Sequence, residues 1–360
     1  MRLAETASPI GRIARRAPRP SGSRFVRTAL ALFLGLAMVP AEAPAKGAPA
    51  GTCRKGNGRP FSGLDQIYVR DEFRIIYATA GHHALPDVRD LNRNGIPDQV
   101  EDVGTQLVVG RRLFSDVMGM MAPMKQPRYQ RTSSIDVFLL NMEKGNGFSY
   151  DEVMNYGLRF DGAAGRCALR IDINNTLPTR NVTPAHELFH QYQYGYSMFK
   201  TRWFLEGTAR WAEYALRPGQ GPQAKLPGTA PDLRGRLFSQ SYGAGGVWNR
   251  LAAILHPGEQ LSLPPDLEKQ VYVDGTPVIH GDLPRGAGFM KEVLVSLGRA
   301  SDEVSSRNGW SKYNWAEQDQ RSPIHDEEML RAILDVVHGK ATEQGISNSE
   351  LNGFLKLGPH

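Results

Sequence analysis

The tightest limit on how this 360-residue chain can fold comes from five residues, His186-Glu187-Leu188-Phe189-His190, the pattern H-E-x-x-H. Residues four apart share one face of an α-helix, so a helix here brings both imidazoles to one metal ion with Glu187 beside them. A catalytic zinc also needs a third protein ligand and one open position. Sixteen positions after His190, the segment Trp203-Phe204-Leu205-Glu206-Gly207-Thr208-Ala209-Arg210-Trp211-Ala212-Glu213 offers Glu206. Leu205, Ala209, Ala212 and Leu216 recur at four, three and four, which makes this segment a second helix. The fold is then one in which the two helices pack with His186, His190 and Glu206 facing one another. The bland alternative is a polar helix with solvated histidines, and a five-residue pattern alone does not exclude it.

Around these helices the pattern changes between strands and helices. Residues 73–78 and 135–140 are rich in β-branched and aromatic side chains, and 168–173 alternates cleanly, so all three read as strands. From Pro97 onward Val100, Val103, Leu107, Phe114 and Val117 recur at helical spacing. Thr183-Pro184 opens the H-E-x-x-H helix, with Thr as N-cap and Pro at the first helical position. The Pro/Gly-rich stretch 217–232 and the weakly periodic 257–288 read as long surface loops. Residues 248–255, 289–297 and 327–337 read as helices of a mainly α C-terminal part, and no internal repeat interrupts the order. The class is α+β.

Upstream, Asp90, Asn92, Asn94, Asp98 and Glu101 place oxygen donors at positions 1, 3, 5, 9 and 12 of a twelve-residue loop. Gly95 falls at position 6, and Ile96 offers its carbonyl at position 7. This is the ligand spacing of an EF-hand calcium loop. Asn at two positions and Pro97 inside the loop point to moderate affinity, suited to a millimolar-calcium exterior. The alternative is an Asx-turn capping the helix that starts near Pro97. In either case the loop is structural and carries no reacting group.

E-G-x-A-x-W-x-E following H-E-x-x-H resembles the gluzincin metallopeptidases, in particular secreted bacterial ones that also carry an N-G-x-P-D loop upstream; the likeness covers about residues 73–216. It implies a zincin-like α+β fold, a twisted mixed sheet with an active-site helix, over residues 46–216, with a mainly helical part, 217–360, completing the cleft. Carried over, His186, His190 and Glu206 are zinc ligands, and Glu187 is the general base for a zinc-bound water that attacks a peptide bond. One departure matters. Several gluzincins place an Asp four residues after the ligand Glu to orient the first His, and this chain has Arg210, so Glu213 or another residue must serve. A Tyr or His usually helps to stabilise the oxyanion in similar enzymes, and Tyr242 and His280 are the candidates. Tyr192, Tyr194 and Tyr196 read as core or cleft wall, and Trp203 and Trp211 as packing that holds the two helices together. Strand 168–173, next before the zinc helix, is the candidate edge for pairing with an extended substrate. The competing function is a non-enzymatic extracellular calcium- and zinc-binding or adhesion module.

Composition and charge place the chain. With 41% apolar and 22% charged residues it is ordinary globular material, neither collagen-like nor wholly disordered. The formal charge of +6 sits mostly in residues 1–45, where seven basic side chains meet two acidic ones, leaving +1 for the rest. That leaves nothing to support a set of phosphate contacts, and nucleic acid is not an expected partner. Arginines up to Arg27, the apolar run 29–39 and Ala41, Ala43 and Ala45 reproduce the three regions of an export signal. A membrane anchor needs about 20 apolar residues, and this run stops at Pro40. In an oxidising compartment Cys53 and Cys167 either close a disulfide or remain two buried thiols. The expected partner is a peptide or protein substrate.

Overall fold

A computed structural model describes residues 13–15, 53–56, 61, 63–157, 166–178, 180–219, 221–259, 261–280 and 283–358. Their centre is a mixed sheet of β1 (Ile13–Arg15), β2 (Arg54–Lys55), β3 (Gln66–Arg70), β4 (Phe73–Tyr77), β5 (Ser134–Leu140), β6 (Gly147–Asn155) and β7 (Ala168–Asn174). The order across it is β1-β3-β4-β5-β7-β6-β2. β3 and β4 form an antiparallel hairpin, β4, β5 and β7 run parallel, and β6 returns antiparallel to β7. β4 and β5 read as largely apolar runs because both faces are covered, whereas β7 alternates, with Arg170 and Asp172 paired on one face.

One face, with Phe73, Ile75, Val137, Leu139, Leu169, Ile171 and Ile173, packs under α1 (Asp98–Arg112) and α2 (Thr183–Tyr196). The other carries a smaller cluster around Phe61, Phe138 and Tyr156, with the Arg170 guanidinium 4.7 Å from the Phe61 ring. Next come α3 (Arg202–Glu213), the short α4 (Ala230–Leu233), α5 (Gly245–Leu255), the short α6 (Pro265–Glu268), α7 (Ala287–Asn308), α8 (Glu317–Gln320), α9 (Asp326–Glu343) and α10 (Ser349–Leu355). The C-terminal part is mainly helical, as expected, but it is not a separate unit: one apolar cluster runs from the sheet through α9. Trp203 of α3 stacks on Trp248 of α5 at 6.2 Å, and Trp211 lies 6.2 Å from Phe189 of α2. Trp211 therefore joins the two helices, whereas Trp203 joins α3 to the C-terminal part.

Several expectations need correction. The strand 168–173 is interior: β7 pairs with β5 on one side and β6 on the other, so it has no edge to offer. The strand beside the sheet's margin is β6, which meets β2 only at Met154 and Asn155. Thr183 is the first residue of α2 and Val182 its N-cap; Asn181 Oδ1 accepts from the Thr183 N–H at 2.9 Å, so the capping oxygen comes from two residues earlier. Residues 217–232 and 257–288 hold the short α4 and α6, and α7 is far longer than 289–297.

Cys53 and Cys167 form a disulfide, their Cα atoms 5.7 Å apart, which ties the start of β2 to the start of β7. The expected export signal lies outside the described residues apart from Ile13–Arg15. No helix among the described residues is long and apolar enough to cross a membrane.

Candidate metal centre

Helix α2 owes its start to its neighbour as much as to its own sequence. The first N–H groups of a helix lack partners within it. Here Gln106, buried on α1, accepts from the Ala185 N–H at 3.1 Å and donates to the Asn181 carbonyl, also at 3.1 Å. One residue further on, His186 enters the interior. His186 and His190 are both 5% exposed, their rings 4.7 Å apart and mutually perpendicular. From α3, Glu206 reaches the same space: its Oε2 lies 3.2 Å from His186 Nε2 and 3.8 Å from His190 Nε2. The three ligand atoms lie within 4.8 Å of one another, so the group could hold a metal ion.

Both rings are fixed from behind. His186 Nδ1 lies 2.7 Å from Glu213 Oε1, whose other oxygen is held by Arg210 Nη1 at 2.9 Å and Arg217 Nε at 2.8 Å. His190 Nδ1 lies 2.6 Å from Gln193 Oε1. The Gln193 amide in turn donates to the Leu205 carbonyl at 2.9 Å and to Thr208 Oγ1. A carboxylate or amide oxygen at Nδ1 selects the Nδ1–H tautomer, which leaves the Nε2 lone pair of each ring facing inward. The departure at Arg210 is thereby explained. Glu213, two helical turns past Glu206, contacts His186, and Arg210 binds Glu213 instead of the histidine.

The glycine after Glu206 also has a reason. A Cβ on Gly207 would lie 2.8 Å from both Ala244 Cβ and Trp248 Nε1, so its absence lets the turn at Tyr242 rest on α3. The Tyr242 ring lies 5.7 Å from His186, and its hydroxyl bonds to Glu206. Burial, then Glu206, push the phenol up to about 12, so it keeps its proton. His280 is exposed, and nothing pairs it with the three ligands. Tyr194 is buried in the core and stacks on His190 at 5.9 Å. Tyr192 and Tyr196 are occupied elsewhere, against Ser115 and the Met121 N–H.

The charges interlock. Burial works against a proton on His186, but Glu206 and Glu213 outweigh it and raise the imidazole to about 10. His190 is pushed down to about 4 by burial and by His186. Burial would raise Glu206, but His186 and His190 hold it at about 2. Glu187, 6% exposed, is raised to about 8 by burial, against the pull of His186.

Loop 90–101 takes the expected sharp course, with Arg93 at φ 57° and Gly95 at φ 86°. Its oxygens are engaged with one another and with the loop backbone. Asp90 accepts from the Asn94 and Gly95 N–H groups at 3.1 and 2.7 Å. Asn92 and Asn94 donate to Glu101 at 2.8 and 2.7 Å, and Asp98 accepts from the Leu91 N–H at 2.9 Å. Among the described residues, His186, His190 and Glu206 form the one cluster of three His, Cys, Asp or Glu side chains close enough to share an ion.

The sequence reading missed Gln193, Arg217 and Gly147. Gln193 was within reach, since it stands three after His190 on the same helix face. Comparison with family models, with curated proteins and with solved structures found no match to this chain.

Proposed function

We propose that the chain is an exported zinc metallopeptidase of the gluzincin type. The observation that carries it is the donor set. Two imidazole Nε2 atoms and one carboxylate converge, each ring is locked through Nδ1, and a second carboxylate stands beside them. Two His and one Glu with an open position suit catalytic zinc, whereas a closed structural site takes four protein ligands, commonly with Cys. Cys167 is committed to its disulfide and cannot be that fourth ligand.

A bound zinc ion would supply Lewis acidity, polarising a carbonyl and making a water acidic near neutral pH. The chain's residues do the rest. A cation held by His186, His190 and Glu206 would draw the Glu187 carboxyl down from its raised value, and as a carboxylate it takes the proton of the attacking water and returns it to the departing amine. Tyr242 keeps its hydroxyl proton and stands next to Glu206, where it can donate to the oxygen of the attacked carbonyl. An extended peptide would lie along the side of β6 that faces away from β7, where among the described residues a strand, β2, pairs only at Met154 and Asn155. Calcium in loop 90–101, bound through Asp90, Asn92, Asn94, the Ile96 carbonyl, Asp98 and Glu101, belongs to the same proposal as a structural ion.

The test separates base from ligand. Glu187→Gln should keep one zinc per chain and lose about 100-fold or more in casein or peptide cleavage. Glu206→Ala should lose the zinc. Parental cleavage rates in Glu187→Gln, or a parent protein that binds no zinc, would refute the function.

A further inference from the structure

β6 passes its first residue, Gly147, directly against Glu187. A Cβ placed on Gly147 would lie 2.8 Å from Glu187 Cγ, 3.0 Å from Glu187 Oε1 and 2.7 Å from Thr183 Cγ2. Carbon atoms in ordinary contact stand about 3.5–4.0 Å apart. Gly147 is not among the glycines with positive φ, so space, and not a backbone angle, demands glycine here. Glu187 has little else to orient it. Glu213 and Glu206 are held by hydrogen bonds, but the Glu187 carboxylate accepts none from any described residue. Among the described residues, packing and the charges of His186, Glu206 and Glu213 are left to place it.

We propose that Gly147 is a positioning residue for Glu187, the absent side chain leaving the slot in which the general base sits. This rests on the peptidase function above. The two groups that a methyl at 147 would strike differ in how they yield. Thr183 is β-branched and stiff at χ1. Glu187 has freely rotating bonds, so its carboxylate is the part that swings away. A misplacement of about 1 Å costs on the order of 100-fold in rate.

The test compares Gly147→Ala, Thr183→Ser and the double variant. Thr183→Ser removes Cγ2 and with it the obstacle to the strand, so that in the double variant Glu187 is the obstacle that remains. Thr183→Ser alone should behave as the parent. The double variant should melt near the parent and bind one zinc, with KM unchanged and kcat lower by about 100-fold. It should also bind a peptide hydroxamate, whose hydroxyl proton passes to the base, as weakly as Glu187→Gln does. Parental kcat in the zinc-loaded double variant would overturn the proposal. So would a loss of fold or of zinc along with activity, which would assign Gly147 to packing. Parental rates in Glu187→Gln would instead refute the peptidase function itself, so the two failures are distinct.

Discussion

Loop 90–101 and the α2–α3 pair both offer donors to an ion, yet the loop draws its donors from twelve consecutive residues while the helices bring together residues up to twenty positions apart. In the loop, Asn92 and Asn94 donate to Glu101, and Asp90 holds the backbone of Asn94 and Gly95. Between the helices, Glu213 and Gln193 grip the histidines from outside and leave the inner nitrogens turned to one another. A local motif can satisfy itself without an ion. The long-range one is satisfied only in part, Glu206 Oε2 meeting His186 Nε2 at 3.2 Å while His190 Nε2 stays 3.8 Å from it, because a scaffold fixes each ligand from outside and carries the ordering cost.

The largest effect is therefore expected where the scaffold is charged and buried. Asp151 on β6 pairs with Arg128, which also donates to the Tyr194 carbonyl at 2.7 Å, and with Lys200 at 2.9 Å. Asp151→Ala leaves two buried cations without their shared carboxylate and should cost about 3–5 kcal/mol. Burial would raise the Asp151 carboxyl, but Arg128 and Lys200 overcome it and hold it at about 2. A carboxylate lowered on folding stabilises the protein above its unfolded pKa and loses that contribution as pH falls through the folded value. About 2 kcal/mol should thus fade between about pH 4 and pH 2. Urea midpoints against pH check this. The parent should lose a component in that window that Asp151→Ala lacks, and identical slopes would contradict it.

The next effect is smaller and belongs to the metal group alone. Glu213→Ala and Gln193→Ala should each weaken zinc binding by about 10–100-fold, read by competition with a chromophoric chelator. Asp90→Ala should leave zinc affinity unchanged. Parental affinity in both helix variants would mean that the histidines need no outer support, and the contrast between the two sites would disappear.

How much of this was legible follows from where the information lies. H-E-x-x-H and the second helix were readable because spacing along one helix fixes which side chains share a face. The interior position of β7 was not. Its alternation in Ala168-Leu169-Arg170-Ile171-Asp172-Ile173 reports burial, and a central strand can alternate as cleanly as an edge. β6 escaped because in Gly147-Phe148-Ser149-Tyr150-Asp151-Glu152 only Phe148 and Tyr150 alternate with polar residues before two acids follow, the strand being partly covered and lying near the sheet's margin. Gly147 was lost with it. At Arg210 the sequence shows that an expected Asp is missing. Only the packed helices show Glu213 meeting His186, and only the seat made by Gly207 separates Tyr242 from His280 as a neighbour of the ligands.

The smallest effect is expected at the loop. Calcium there must displace the Asn92 and Asn94 amides from Glu101, so part of what it gains in coordination replaces bonds already made. An ion that binds only the folded form stabilises by RT ln(1 + [L]/Kd), about 1.4 kcal/mol at ten times Kd. For a chain of this size that is a rise in Tm of a few degrees, roughly 2–4 °C per kcal/mol. Calorimetry with calcium and with a calcium chelator should show the rise in the parent and none in Asp90→Ala. The variant should also melt lower in both, because Asp90 holds two backbone N–H groups. A parent Tm indifferent to calcium would leave the loop as a capping turn. The same titration, repeated while reading zinc affinity, probes the contrast more sharply. Loop 90–101 leads into α1, whose Gln99 donates to the Asn175 carbonyl at 2.7 Å and whose Gln106 caps the first turn of α2. Zinc affinity that rises with calcium would make the two sites one coupled unit through those glutamines. Zinc affinity indifferent to calcium would show that the scaffold, once folded, holds the metal group without help from the loop.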